Sequence, residues 1–510
     1  MIYEHKENGA VLDIEKSSML ILHPTALPGG HGIGDFGKNA YEWIDFLEES
    51  GVRIWQVLPF GPTDFTQFSP YSSSSSVLGN FALIDLNYLS ELEIINRDDL
   101  EGAPENKARV DFPNVYKYKE EKLRKAHENL TKSDESSLKN KIEIYQNKNT
   151  GIEKELIFQM ASSIYGEDWK KWPKEMINPT TDTLNNFKEA NFNEYSYQLF
   201  VQYLFDEQLK NINKYSAKKN VKILGDVPIY TNFHSCDVWL NKNLFDLEEN
   251  YEMSNLAGAA PDIFTAAGQI WGNPLYLWEE HKKENYKWWK DRLNSCLNKY
   301  DLLRIDHFGG LFQFWAIPNG GLGVEGVWRK GPGKSFLDDI KEDIQLERIL
   351  AEDLFALDLI EMDDAREDYD IPGIRMLNQR IPHDNWDIEI PPSEWPYNCA
   401  AYTGTHDSPT TKQWLEETTD GQRKHFKECV DNNLKNKFES EVWNAISVIW
   451  ETPCQLSGTL VQDILELGSE ARFNIPGQQL GNWGWRLDSL EPLNNVKDRL
   501  FELNKKTGRI

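Results

Sequence analysis

The stretch Asp301-Leu302-Leu303-Arg304-Ile305-Asp306-His307 decides the fold. A short apolar run beginning at Leu302 ends abruptly in an acid and a histidine. Just upstream, Trp289, Leu293, Cys296, Leu297 and Tyr300 recur at helical spacing and lead straight into it. A helix feeding a buried strand is the unit of a parallel α/β sheet. Similar runs recur at 19–23, 53–58, 221–227, 349–352, 373–377, 399–405 and 459–464, which with 302–306 makes eight. Ala40, Trp43, Ile44 and Leu47 trace another helix face, closed by Gly51, and Tyr197, Phe200, Val201, Leu204 and Phe205 a third. The expectation is an α/β fold, a (β/α)8 TIM barrel with inserted, largely helical subdomains.

The spacing is uneven. Roughly 160 residues separate the second and third strands, too many for a loop. Residues 1–58 are therefore read as the first part of the barrel and 59–195 as inserted subdomain material, Lys- and Glu-rich and helical in its middle. Residues 196–510 are read as the remainder. They include a lid loop at about 256–276, rich in Gly, Ala and Pro, and a further insertion at about 310–345. Residues 72–76 are five consecutive serines, read as an ordered polar loop. Gly32, Gly34 and Gly37 spell GxGxxG, but Pro24 and Pro28 precede them and the second strand ends in Gln56-Val57-Leu58, with no acid to hold a ribose. A tight turn entering a helix is the expectation there.

Bulk composition narrows the partners. Of 510 residues, 40% are apolar and 27% charged, a globular balance. Lys and Arg number 55 against 82 Asp and Glu, a formal charge of -27. Such a surface opposes nucleic acid and anionic membranes, and leaves a neutral ligand open. The five cysteines, Cys236, Cys296, Cys399, Cys429 and Cys454, are scattered and odd in number, as expected of reduced thiols in the cytoplasm. The N-terminal segment lacks the pattern of a signal peptide. No HExxH, paired His/Cys spacing or serine triad is present, so no metal is expected. Aromatics make up 12%, with 18 Trp; sugar clefts use such rings as platforms, but most will be core.

In a barrel, catalytic groups sit at the C-terminal ends of strands. Asp226, Asp306 and Glu352 end their runs, and Asp407 follows Ala400-Ala401-Tyr402-Thr403-Gly404-Thr405-His406. Any one could be a helix cap or an ion-pair partner; four on one rim suggest chemistry. Arg304 and Asp306 alternate onto one side of their strand, and a guanidinium there favours an ionised carboxylate. Glu352 follows Ile349-Leu350-Ala351, an apolar setting that favours the protonated form. One ionised and one protonated carboxyl are the parts of a retaining glycosidase.

The motifs LILHPTALPGGHGIGDFG, WQVLPFGPT, GDVPIY, PDIFTAAGQIWGNPLY, LRIDHF, AEDL, YTGTHD, ARFNIPG and GNWGWR, in this order and nearly end to end, resemble the amylomaltases, or 4-α-glucanotransferases, of the α-amylase-like clan. The resemblance implies transfer of α-1,4-glucan segments between maltooligosaccharides by a double displacement, with no organic cofactor. It implies Asp306 as nucleophile, Glu352 as acid/base and Asp407 as transition-state stabiliser. Tyr71, Asp226, Arg304 and His406 would line the donor side, and Trp271 and Asn273 would belong to a lid over the acceptor side. A hydrolase of the same clan and a non-enzymatic glucan-binding protein are the alternatives. The chain departs from the family pattern at Gly309, at Ser408 and Pro409, at Gly484 and at Ala260, which bears on chain-length preference and on the split between transfer and hydrolysis.

Overall fold

Each apolar run read from the sequence overlaps a strand of the computed structural model, which describes residues 12, 14–133, 136–261, 266–354, 359–382 and 390–510. Among the described residues twelve strands form: β1 (Ser17–Ile21), β2 (Ile54–Gln56), β3 (Lys222–Val227), β4 (Asn255–Ala259), β5 (Gln269–Pro274), β6 (Leu302–Ile305), β7 (Gln313–Pro318), β8 (Val327–Lys330), β9 (Ile349–Ala351), β10 (Gly373–Met376), β11 (Cys399–Tyr402) and β12 (Leu456–Leu460). Eight make one sheet in the order β10-β11-β12-β1-β2-β3-β6-β9, and the pairings are parallel. The sheet curls so that its two edges meet. Ala351 N donates to Pro372 O at 2.9 Å, and Ile374 N donates to the Asp353 carboxylate at 2.6 Å. The result is a nearly closed (β/α)8 barrel.

Alternation along the strands explains the core. Met19, Ile21, Ile54, Leu224, Leu302, Leu350, Ile374, Ala400, Tyr402 and Leu456 fill the barrel interior. Their neighbours Leu20, Trp55, Ile223, Leu303, Ile349 and Ala401 pack outward against the helices. The eighth run, read at 459–464, lies too far downstream: β12 ends at Leu460, and Val461–Ile464 is a short helix. The buried strand spends Ser457, Gly458 and Thr459 where apolar residues were sought. Ser457 Oγ donates to Ile449 O at 2.8 Å, and Thr459 Oγ1 donates to Asp463 at 3.0 Å, so these side chains serve as polar joints.

Between β2 and β3 lie the helices Phe112–Lys132, Glu153–Tyr165 and Thr181–Ala190, followed by the long helix Phe192–Lys218. Lys119 ties this material to the barrel. It is fully buried and donates to Asp35 Oδ2 at 2.9 Å, Ala82 O at 2.7 Å and Ile84 O at 2.8 Å. Gly34 stands where a Cβ would lie 2.1 Å from Pro24 O, and the helix Lys38–Glu49 starts directly after Gly37. The glycine motif is thus a turn entering a helix.

The segment 256–276 is not one long loop: β4 and β5 pair antiparallel across it. Residues 262–265, including the Asp262 that follows Ala260-Pro261, lie outside the described residues. The insertion expected at about 310–345 contributes β7 and β8 to the same sheet, ordered β5-β4-β7-β8 and separate from the barrel. Gly258 hid the strand signal, yet the pairing requires it, since a Cβ there would come within 2.1 Å of Gln269 O. Among the described residues, no helix is long and apolar enough to cross a membrane.

Candidate active site

The barrel places Asp306 one residue beyond β6 and Glu352 one beyond β9. Asp226 sits within β3, and Asp407 in the turn after β11. Arg304, 3% exposed, lies among the first three. Its guanidinium reaches Asp226 Oδ2 at 2.5 Å, Asp306 Oδ1 at 2.8 Å and Glu352 Oε2 at 4.0 Å. One buried cation therefore faces three carboxyls, and burial of so many charges is tolerable only in such a mutually paired set.

Glu352 is buried and further fixed by two backbone donors, His307 N at 2.7 Å and Leu354 N at 3.1 Å. His307 has φ +46°, a left-handed conformation unusual for a residue with a side chain, and this turn aims its N–H at Glu352. Burial raises the pKa of Glu352 above the usual carboxylate value; Arg304 opposes that shift and Asp306 adds to it. Asp226 is likewise raised by burial, against the pull of Arg304.

A hydrogen-bonded chain runs from Asp226 to Asp407. Tyr71 Oη donates to Asp226 Oδ2 at 2.8 Å and lies 2.9 Å from His406 Nε2. Burial pushes the Tyr71 hydroxyl well above its ordinary value, so it keeps its single proton, which goes to Asp226. Its oxygen then accepts from His406, which fixes the proton on Nε2. The same nitrogen is 3.3 Å from Asp407 Oδ2. Burial lowers the pKa of His406, so the ring is neutral. Tyr71 and His406 stack with centroids 5.4 Å apart, and Trp483 lies against both, at 5.7 and 6.2 Å.

Above this floor opens a wide cleft. Tyr71, Trp271, Asn273, Asp306, Glu352 and Asp407 line it, while Asp226, Arg304 and His406 stand beneath. Trp271, on β5, meets the His307 ring edge-on at 5.0 Å and is 36% exposed. Asn273 Nδ2 donates to Thr231 O at 2.9 Å, pinning β5 to the loop after β3. The opposite wall, residues 474–483, was not anticipated as part of the site. Asn474 Nδ2 donates to Asp407 Oδ1 at 2.5 Å, and Trp483 roofs Tyr71. The motifs containing them, ARFNIPG and GNWGWR, were visible, but no periodicity or strand end marked those residues.

Among the described residues, His31, Asp35 and Asp85 bring ligand atoms within 4.8 Å of one another, as a metal site would. Lys119 already supplies a cation to Asp35 there. The group lies apart from the cleft-lining residues and serves the junction with the inserted helices.

The family model described as 4-alpha-glucanotransferase matches residues 22–491. The chain belongs to the 4-alpha-glucanotransferase family. The 4-alpha-glucanotransferase of Clostridium butyricum is 35% identical over 492 residues, spanning 96% of this chain and 100% of the relative. That of Aquifex aeolicus is 35% identical, spanning 92% and 94%. Among solved structures, the amylomaltase from Streptococcus agalactiae in complex with acarbose superposes with a TM-score of 0.90 at 30% identity, covering 97% of this chain and 100% of that one.

The departures from the family pattern occupy definite places in the structure. Gly309 is buried in the turn Phe308–Leu311, where its carbonyl accepts from Phe312 N at 2.9 Å. Ser408 Oγ accepts from Thr405 N at 3.1 Å and so closes the turn that carries Asp407. At Gly484 a Cβ would meet Val110 O at 3.6 Å, an ordinary contact, so space does not require glycine there.

Proposed function

We propose that this enzyme moves α-1,4-glucan segments between maltooligosaccharides by a retaining double displacement. Asp306 attacks the anomeric carbon and holds the glucosyl chain covalently. Glu352 protonates the departing sugar and then takes the proton of the incoming one. Asp407 stabilises the distorted ring in the transition state. Tyr71, Asp226, Arg304 and His406 build the donor side, and Trp271 and Asn273 the acceptor side.

The single observation that carries this reading is the Arg304 guanidinium. One of its nitrogens stands 2.8 Å from Asp306 and 4.0 Å from Glu352. Two carboxyls so close to one atom favour the retaining separation of about 5–5.5 Å over the inverting one of about 6.5–9.5 Å. The ion-paired Asp306 suits a nucleophile, and the buried Glu352, raised above the carboxylate range, suits a proton donor. A neutral oligosaccharide fits a cleft in a protein of net charge -27. Acarbose bound to the Streptococcus agalactiae amylomaltase supports the same ligand class. Five free, buried thiols support a reducing compartment, the cytoplasm.

Incubation with pure maltotriose tests the reading. Glucose together with sugars longer than the input is expected. Only shorter sugars would make the protein a hydrolase of the same clan, and no change would leave a glucan-binding scaffold. A fluorosugar adduct should appear on Asp306 by mass spectrometry; an adduct on any other residue would overturn the nucleophile assignment.

A further inference from the structure

Asp407 differs from the other two acids in how it is held. Asp306 is paired with Arg304, and Glu352 is clamped by two backbone N–H groups. The Asp407 side chain is 43% exposed. A carboxylate that open rotates freely unless something fixes it, and rotational freedom is costly where a charge must meet a transient ring. Two contacts fix it: His406 Nε2 at 3.3 Å on Oδ2 and Asn474 Nδ2 at 2.5 Å on Oδ1. Of the two, Asn474 is the shorter and the one whose hydrogen is not shared with Tyr71.

Asn474 is itself well held. It is 8% exposed. Arg472 Nε donates to Asn474 O at 3.0 Å, while Arg472 Nη2 donates to Asp407 O at 3.4 Å. One guanidinium thus staples the backbone of the turn after β11 to the backbone of the 474–483 wall. That wall is braced from within, because Asn482 accepts from Ile475 N at 3.0 Å and donates to Gln478 O at 2.7 Å. The amide of Asn474 is therefore a fixed donor on a fixed support, aimed at one oxygen of an otherwise exposed carboxylate.

We propose that Asn474 is a positioning residue for the transfer reaction: it locks the Asp407 carboxylate in its working rotamer, and Arg472 keeps Asn474 in register. The inference rests on the role given above to Asp407. Asn474 acts through Asp407 and contributes no proton or bond of its own. A glucan that rests on the 474–483 wall presses on the same support, so chain binding and Asp407 geometry are linked.

A double-mutant cycle tests it, with maltotriose as substrate and folding of every variant checked by circular dichroism. Asn474→Ala should lower kcat by roughly tenfold while KM moves less than about threefold, the pattern of an interaction lost mainly in the transition state. In an Asp407→Ala background the same change should cost almost nothing further, because there is no carboxylate left to position. Asn474→Asp supplies a second readout. His406, Tyr71 and Arg472 are the titratable groups facing Asp407, and an added carboxylate at hydrogen-bond distance would share a proton with it. The acid limb of the kcat/KM profile should move to higher pH. Asn482→Ala, which loosens the wall without touching Asp407, should raise KM and leave that limb in place. An equal loss for Asn474→Ala in both backgrounds, or an unmoved acid limb in Asn474→Asp, overturns the positioning role and leaves Asp407's own role standing. Normal turnover by Asp407→Ala would instead remove the role assigned to Asp407, and the positioning role with it.

Discussion

At Glu352 the fold spends two backbone donors and a left-handed histidine to hold one side chain, and burial keeps that side chain protonated beyond the ordinary carboxylate range. Glu352→Gln keeps the shape and removes the proton transfer proposed for this residue. Turnover should fall by about 10²- to 10⁴-fold, with glucan binding retained; near-normal rates in that variant would exclude Glu352 as acid/base. The pH dependence follows from the direction of the shift. The proton on Glu352 is bound more tightly in the folded state than in the unfolded one. Stability from this group is therefore present at low pH and lost as pH rises through the folded value. Glu352→Gln should accordingly gain thermal stability over the wild type on the alkaline side and lose that advantage in acid, as scanning calorimetry at two pH values would show. Glu352 and Asp306 stand out in the sequence because each follows an apolar run abruptly, while Asp407 is separated from Ala400-Ala401-Tyr402 by Thr403, Gly404, Thr405 and His406. Asn474 and Trp483 do not stand out, because they reach the site on an irregular wall whose contacts with Asp407 and Tyr71 span 67 residues in one case and depend on a positive φ in the other.

Elements obey the same contrast. The barrel strands were readable since their alternation is buried on both sides, and the shift at β12 arose where Ser457 and Thr459 act as polar joints. β4 and β5 look like a loop in sequence because Gly258 and Gly272 carry no side-chain pattern, and because a half-exposed edge strand has little apolar signal to give. The join between the inserted helices and the barrel was also invisible, since nothing near Lys119 in sequence announces Asp35. Lys119→Met keeps the helix Phe112–Lys132 and the volume but leaves Asp35, already 7% exposed, and two carbonyls without their cation. Breaking such a buried pair costs about 3–5 kcal/mol. The urea midpoint should drop accordingly. A drop no larger than that of a surface lysine would mean the junction relaxes to admit water.

Across the whole molecule the two ends of the barrel do different work. The C-terminal ends of β3, β6 and β9 carry Asp226, Asp306 and Glu352, and the walls of the cleft are built there. The opposite end is plugged by Arg509, fully buried, which donates to Trp450 O at 2.9 Å, Thr452 O at 3.0 Å, Cys454 O at 3.1 Å, and Ser17 O and Gln455 O at 3.3 Å. Ser17 opens β1, and Gln455 immediately precedes β12, so this one guanidinium collects the carbonyls at the start of neighbouring strands. Orphaned buried acceptors cost about 1–3 kcal/mol each, and water can re-satisfy only those it reaches. Arg509→Ala should therefore lose about 3 kcal/mol or more of stability, read from the urea midpoint. Because the acids proposed to carry the chemistry stand at the far rim, kcat on maltotriose should stay at its wild-type value wherever the variant remains folded. A fall in kcat under conditions where circular dichroism shows the variant intact would mean that the plug transmits strain along the strands to Asp306, and that the barrel's two ends are coupled rather than separate.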